Sequence, residues 1–358
     1  MIKDLVVHLG DTKTGSTSIQ WTLVNGFWSC PGRDIVYPTD ANHIGLTMTM
    51  TDPALRGRQA VEFETLATDF HLSKADHGIV SAETFEFVDP QMFRDAVNAY
   101  WPGLSERMRL IAYVRPHAGK LLSFFSERVK LGEDETSVTE LFEKRSKERM
   151  FAYAPRFRKW RAVFGDRFEL RVFDRKQLHD GDVVQDFFRY VLGDAEFQIT
   201  GSTLSNASPT VSQLALLRKM HQTFNRRVQG NKPRVREAQK EMGRGIADYI
   251  QASGLGANDE KPKLPAALAE RFVAHCKADA EALDAAFFEG SPMSTALERI
   301  NTQVTETEQS LRAMDYFDAD TIRAVQSFTG ILADVALSLP VQTKKAIDQG
   351  RIKHAARR

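Results

Sequence analysis

The sequence predicts an α/β fold of three layers, in which helices flank a central parallel sheet, followed by a helical carboxyl-terminal half. Strand-like runs in the first half are short and almost wholly apolar, and stretches with helical periodicity separate them. From about residue 210 onward, almost every segment has helical periodicity. We therefore expect an α/β domain over residues 1–290, helical from about 210, and a helical extension over 291–358 with a basic tail.

The secondary-structure elements follow from periodicity and from glycine and proline positions. Strands are predicted over residues 5–9, 78–81, 110–114 and 168–173. Helices are predicted over 16–24, 90–100, 121–131 and 183–192, and then near 210–228, 233–252, 264–288 and 319–337. A loop is predicted over 254–265, where glycine, asparagine and proline interrupt the pattern.

Composition limits the classes of protein to consider. The chain has 358 residues with 42% hydrophobic and 27% charged, an ordinary globular balance. A net charge of +1 argues against a protein that coats nucleic acid. No run reaches the ~18–20 apolar residues that a membrane span needs. The two cysteines, Cys30 and Cys276, lie far apart in the sequence. We expect a cytoplasmic protein with no membrane span, no nucleic-acid partner and no bound metal.

The segment after the first strand has the pattern of an anion-binding loop. Gly10 and Gly15 bracket a tight loop that contains Lys13 and leads directly into a hydroxyl-rich helix start. Amides at a helix start are unpaired and carry the positive end of the helix dipole. The same residues also suit an ordinary helix cap. A nucleotide-triphosphate P-loop is a poor match, because it places lysine after the glycine and before serine or threonine.

A second candidate segment follows the third strand. Arg115 stands at the carboxyl end of that strand, and Ser123 follows eight residues later, after a turn and a helix start. Ligands of open α/β sheets collect at this edge, where an arginine can hold a phosphate. An arginine in a surface turn and a serine on a helix face would give the same pattern.

Together these segments resemble the PAPS-dependent sulfotransferases, enzymes that use 3′-phosphoadenosine 5′-phosphosulfate (PAPS). Residues 12–17, Thr-Lys-Thr-Gly-Ser-Thr, are similar to the family's 5′-phosphosulfate loop, Lys-[Ser/Thr]-Gly-Thr-Thr, with Ser16 replacing one threonine. Arg115 and Ser123 have the spacing of its 3′-phosphate motif, and residues 160–193 resemble the later core of bacterial members. The resemblance implies a P-loop-like fold and transfer of the sulfuryl group from PAPS to a hydroxyl or amine, releasing 3′-phosphoadenosine 5′-phosphate (PAP).

The resemblance also implies a role for each motif residue. The loop would hold the 5′-phosphosulfate, Lys13 would stabilise the leaving oxygen, and Arg115 with Ser123 would hold the 3′-phosphate. The loop residues are Thr12, Lys13, Thr14, Gly15, Ser16, Thr17 and Ser18. No Gly- and Lys-rich donor loop is evident near the carboxyl terminus, so the sequence does not indicate how adenine is bound.

Two residues are candidates for the general base that removes the acceptor's proton. Glu83 follows the second predicted strand, so its carboxylate should project at the ligand-bearing edge. His43 lies in a loop after the first helix and is the second candidate, since imidazole titrates near neutrality. A capping or ion-paired Glu83 and a structural His43 are the alternatives. His8, inside the first strand, is predicted to be a core histidine.

The acceptor is expected to be a small molecule, a glycan or a lipid. Two other functions stay open: a small-molecule or nucleotide kinase on a related P-loop fold, and a nucleotide-binding protein without catalysis. The basic residues Lys232, Arg234, Arg236 and Lys240 are predicted to form a solvated helix face.

Overall fold

The computed structural model describes residues 1–133, 135–201, 208–228, 230 and 232–355. Its contacts divide the chain into two compact units. Unit 1 comprises Met1–Pro116, Ala152–Asn206 and Asp279–Thr295, and unit 2 comprises His117–Phe151, Ala207–Ala278 and Ala296–Arg358. The chain thus passes between the units several times. The division into a domain over 1–290 and an extension over 291–358 stays a prediction.

Unit 1 contains the central sheet. Its strands are β1 (Asp4–His8), β3 (Ile35–Val36), β4 (His77–Ser81), β5 (Met108–Val114) and β6 (Phe168–Val172). They lie in the order β3-β4-β1-β5-β6, and every pair is parallel. A separate antiparallel pair joins β2 (Trp28–Ser29) to β7 (Gln198–Ile199). The predicted α/β class with a central parallel sheet is confirmed.

Helices cover both faces of this sheet. They are α1 (Ser16–Val24), α2 (Ile44–Thr51), α3 (Gln59–Leu72), α4 (Pro90–Tyr100), α7 (Tyr153–Phe164) and α8 (Val183–Leu192). On one face, α1 and α8 pack against Val6, Ile79 and Ile111. On the other, an aromatic cluster contains Phe63 of α3, Phe93 of α4, Trp101 directly after α4, and Trp160 of α7. The near-continuous apolar strands are explained by this burial on both faces.

Unit 2 is almost wholly helical. It contains α5 (His117–Lys130), α6 (Val138–Arg145), α9 (Val211–Arg227), α10 (Pro233–Ser253), α13 (Ala319–Ser338) and α14 (Pro340–Ala355). A short parallel pair joins β8 (Leu264–Pro265) to β9 (Val304–Thr305). Two helices, α11 (Ala266–Phe287) and α12 (Pro292–Glu298), contribute residues to both units. The basic end of the chain is helical through Ala355, and residues 356–358 lie outside the described part.

One hydrophobic cluster in unit 2 joins four of its helices. Phe224 of α9, Val235 and Met242 of α10, and Ala333 and Ala336 of α13 are buried together, with Ile347 of α14 packed against them. Among the described residues, none of the helices has both the length and the apolar character that crossing a bilayer requires.

Candidate functional site

The strand order brings three loops to one edge of the sheet. β1 lies at the centre between β4 and β5, and all three strands point the same way. The segments that follow them, beginning at Leu9, Ala82 and Arg115, therefore leave the sheet side by side. In open α/β sheets this edge, where the strand order reverses, is where ligands bind.

The loop after β1 is tightly turned. Gly10, Lys13 and Gly15 have φ angles of 36°, 72° and 82°. The Thr14 hydroxyl donates to the carbonyl oxygen of Asp11 at 2.7 Å and closes the turn. A Cβ on Gly10 would lie 2.7 Å from the Cα of Glu83, so the absence of a side chain there lets this loop contact the segment after β4.

The start of α1 has donors that suit an anion. Its cap residue is Gly15, and no side chain of the described chain caps the helix. Ser16 is 3% exposed, and its Oγ has no hydrogen-bond partner among the residues that the structure describes. A buried hydroxyl without a partner costs about 1–3 kcal/mol. Together with the backbone amides at the positive end of the helix dipole, Ser16 fits an anionic oxygen bound at this helix end.

We predict that Gly15→Ala destabilises the protein by roughly 2–4 kcal/mol, because alanine would be strained at a positive φ and would also be overpacked. The new Cβ would lie 2.6 Å from Cγ1 of Val183 and 3.0 Å from the Phe173 ring. Chemical denaturation measures the change. Gly26→Ala is the matched control, since Gly26 also has a positive φ, 60°, but no described atom lies within 4 Å of its Cβ position. Equal costs for the two variants would contradict the packing argument.

An ion network supports the first half of the loop. The Arg156 guanidinium of α7 donates to Asp11 Oδ2 at 2.8 Å and lies 3.5 Å from Glu86 Oε1. Glu86 also accepts from Thr12, at 3.2 Å from its backbone nitrogen and at 2.8 Å from its hydroxyl. Three chain segments therefore meet at residues 11 and 12. None of Asp11, Glu86 and Arg156 was predicted from the sequence as a site residue.

Arg115 is a partly desolvated cation near the same loop. Its guanidinium carbon lies 4.6 Å from the centroid of the Phe173 ring, the ring that also approaches Gly15. Burial lowers the pKa of Arg115 to about 10, although the neighbouring Tyr153 and Asp11 raise it, so the side chain stays charged at neutral pH. Its buried Nε has no hydrogen-bond partner in the described part of the chain. Arg115 thus fits an anion such as a phosphate.

Ser123 is the seventh residue of α5 and belongs to unit 2, whereas Arg115 belongs to unit 1. The expected pairing of these two side chains on one phosphate stays a prediction.

Glu83 lies beside the loop, at the carboxyl end of β4. It begins a short 3₁₀ helix, Glu83–Phe87, and its side chain is half-buried. The next residue, Thr84, is hydrogen-bonded through its hydroxyl to Thr47 of α2, which helps to fix this segment. The backbone of Glu83 contacts Gly10, so the Glu83 side chain leaves the backbone directly beside the loop after β1.

His43 is buried beside Ser81, the last residue of β4. It is the residue before α2, and its Nδ1 accepts a hydrogen bond of 3.1 Å from the backbone N–H of Ser81. The neutral ring therefore carries its hydrogen on Nε2, so the nitrogen that could accept a proton is already engaged. Burial also lowers the pKa of His43 to about 4. These contacts argue against His43 as the general base.

His8 is a core histidine, as predicted. It is fully buried in β1, its Nδ1 lies 2.8 Å from the Ser81 hydroxyl, and burial lowers its pKa to about 3.

Comparison with protein-family models, with curated proteins and with solved structures found no match to this chain.

Proposed function

We propose that this protein is a PAPS-dependent sulfotransferase, with a P-loop-like unit 1 that binds the donor at the edge formed by β1, β4 and β5. The observation that carries the proposal is a pair of hydrogen-bond donor groups at this edge that lack partners within the described part of the chain. One is the start of α1 with the buried Ser16 hydroxyl, and the other is the Nε of Arg115; neither Ser16 Oγ nor this Nε has a hydrogen-bond partner among the described residues. Both adjoin Phe173. PAPS carries an anionic group at each end of its ribose, so two such positions suit it.

The residues divide the work of donor binding by chemistry. The amides of residues 15–17 and the Ser16 hydroxyl would hold the 5′-phosphosulfate at the positive end of the helix dipole. Arg115 would hold the 3′-phosphate, the group that distinguishes this donor from simpler adenosine nucleotides. Lys13, two residues before the helix cap, would bring a full positive charge to the bridging oxygen.

Transfer requires in-line attack by an acceptor oxygen or nitrogen on sulfur. The new bond to sulfur forms as the bond between sulfur and the 5′-phosphate oxygen breaks, and the electron pair of the broken bond stays on that oxygen. Lys13 neutralises the charge that develops there. Glu83 takes the proton that the acceptor loses, because it is the candidate base whose position adjoins the loop.

We predict that Glu83→Gln lowers kcat by about 10²–10⁴-fold, the usual contribution of a general base, and changes the affinity for PAP by no more than a few-fold. Glutamine keeps the shape and one hydrogen-bonding oxygen of the side chain but cannot take a proton. Turnover with labelled PAPS and calorimetry with PAP measure the two quantities. His43→Gln is the comparison variant: a fall in kcat in that variant, with Glu83→Gln fully active, would transfer the base role to His43.

Calorimetry on the unaltered protein tests the donor. Tight binding of PAP without magnesium, with weak binding of ATP, supports the proposal. Strong ATP binding that depends on magnesium would overturn it in favour of a kinase. Sulfate transfer from labelled PAPS to a panel of sugars, phenols and lipids then separates an enzyme from a protein that only binds the nucleotide, since the latter transfers nothing to any acceptor.

A further inference from the structure

The loop proposed to bind a dianion contains an acidic side chain of its own. Asp11 is 1% exposed, and it lies between Gly10 and the residues that carry the 5′-phosphosulfate motif. A buried carboxylate next to a bound phosphosulfate would repel it unless a cation compensates. Arg156 is that cation, with its Nη2 atom 2.8 Å from Asp11 Oδ2.

Arg156 also contacts Glu86, a residue outside the loop that is hydrogen-bonded to it. Glu86 accepts from both the backbone N–H and the hydroxyl of Thr12, and Arg156 lies 3.5 Å from its other oxygen. The flat guanidinium lies 4.5 Å from the centroid of the Phe157 ring. Arg156 therefore bridges two carboxylates: that of Asp11, which is part of the loop, and that of Glu86, which binds the next loop residue, Thr12.

Electrostatics keeps this arginine charged in its site. Burial lowers the pKa of Arg156, but Asp11 and Glu86 outweigh burial and raise the pKa above its ordinary value. Without the arginine, both carboxylates would lose the guanidinium that they share. The next residue along the loop, Lys13, has a φ of 72°, a backbone conformation that a non-glycine residue adopts at a cost. Fixing residues 11 and 12 helps to hold that conformation.

We propose that Arg156 is a positioning residue for the donor loop. It acts through Asp11 and Glu86: it cancels the charge of Asp11 and fixes residues 11–12, so that Lys13 and the start of α1 face the bound anion. The identity of the donor in this inference rests on the proposed function, whereas the effect on the loop itself does not.

Arg156→Ala is expected to weaken PAP binding by about 10- to 100-fold, and to raise KM for PAPS more than it lowers kcat at saturating donor. Arg156→Lys should restore little of the lost PAP affinity, because an ammonium lacks the planar fork of donors that contacts both carboxylates. The matched control is Arg158→Ala on the same helix, an exposed arginine that bonds the carbonyl of Ala282 at 3.1 Å. Unchanged PAP affinity in Arg156→Ala would overturn the inference.

A double variant separates positioning from a merely structural role. If Arg156 acts by cancelling the charge of Asp11, then Asp11→Asn in the Arg156→Ala background should recover several-fold of the lost PAP affinity. Asp11→Asn in the otherwise unaltered protein is the reference, and it should gain much less PAP affinity than the same change gains in the Arg156→Ala background. Equal gains in the two backgrounds would show that Arg156 does not act through Asp11 and would contradict the inference.

Hydrogen exchange separates failure of this inference from failure of the proposed function. Peptides covering residues 10–18 of the ligand-free protein should exchange faster in Arg156→Ala than in Arg158→Ala, whatever the natural ligand is. Faster exchange in a protein that does not bind PAP would reject PAPS as donor and keep the positioning role. Equal exchange would reject the positioning role. If Arg156→Ala does not fold, the same exchange and affinity measurements are made on Glu86→Gln. A several-fold loss of PAP affinity is expected there, because the hydrogen bonds from Thr12 to residue 86 are weakened.

Discussion

Replacing Lys13 by alanine is expected to abolish detectable sulfuryl transfer, with kcat reduced by roughly 10³–10⁵-fold, the range for removing a cation that stabilises transition-state charge in phosphoryl transfer. Lys13 lies on the loop two residues before the cap of α1, where the proposed leaving oxygen would be bound. The amine interacts with charge that is greatest in the transition state, so kcat should fall much more than PAP affinity. Single-turnover measurements with labelled PAPS and calorimetry with PAP test this.

The backbone at Lys13 supplies a control for this prediction. Its φ of 72° is left-handed, and glycine adopts that conformation without strain. Lys13→Gly should therefore lose transfer to the same extent as Lys13→Ala, although the two variants differ in backbone freedom. Equal losses assign the effect to the amine. Normal turnover in Lys13→Ala would contradict the mechanism.

Replacing Arg115 by alanine is expected to weaken PAP binding by about 30- to 100-fold and to leave the binding of adenosine 5′-monophosphate nearly unchanged. A charged hydrogen bond to phosphate contributes about 2–3 kcal/mol, and only PAP carries the 3′-phosphate that Arg115 would hold. Two observations support this role: the Arg115 guanidinium stacks on Phe173, and its Nε has no hydrogen-bond partner among the residues that the structure describes. Calorimetry with the two nucleotides measures the difference.

Arg189→Ala is the matched control for Arg115, because Arg189 also stacks on an aromatic ring, 5.4 Å from the centroid of Phe197, but lies on α8 and donates to the carbonyl oxygen of Gly193 at 2.9 Å. It should leave both affinities unchanged. Arg115→Lys should give an intermediate loss of PAP affinity, since lysine keeps the charge but not the fork or the stacking. Equal losses for PAP and adenosine 5′-monophosphate in Arg115→Ala would contradict the assignment of this arginine to the 3′-phosphate.

Elements with strong local signals were predicted closely. α1 and α8 have the predicted bounds, and β1 and β4 differ by one residue at their ends. These elements combine a run of apolar residues with glycine or aspartate at a terminus, and such signals act over a few residues. α2, α3, α6 and α7 were not predicted; α2, for example, alternates threonine and methionine with little helical periodicity. Their helical state depends on packing against the rest of unit 1 or unit 2.

Part of the candidate site could also be predicted from local sequence signals. Residues 12–18 and Arg115 follow strands directly, so their place at one edge follows once a parallel sheet is expected. The surroundings of His43 could not be predicted from the sequence, because the hydrogen bond from Ser81 to His43 joins different segments of the chain. Arg156 was missed for the same reason: it lies 145 residues from Asp11 in sequence, and no local pattern marks it.

The sequence by itself determined the α/β class, the principal strands of the sheet and the loop that turns from β1 into α1. These depend on short-range periodicity and on glycine placement, which a single segment carries. Only the tertiary structure decided that Arg156 and Glu86 support the loop, that His43 is held neutral in the interior, and that the chain passes repeatedly between two units. Those features arise from contacts between distant segments, whose charges and burial exist only once the chain has folded.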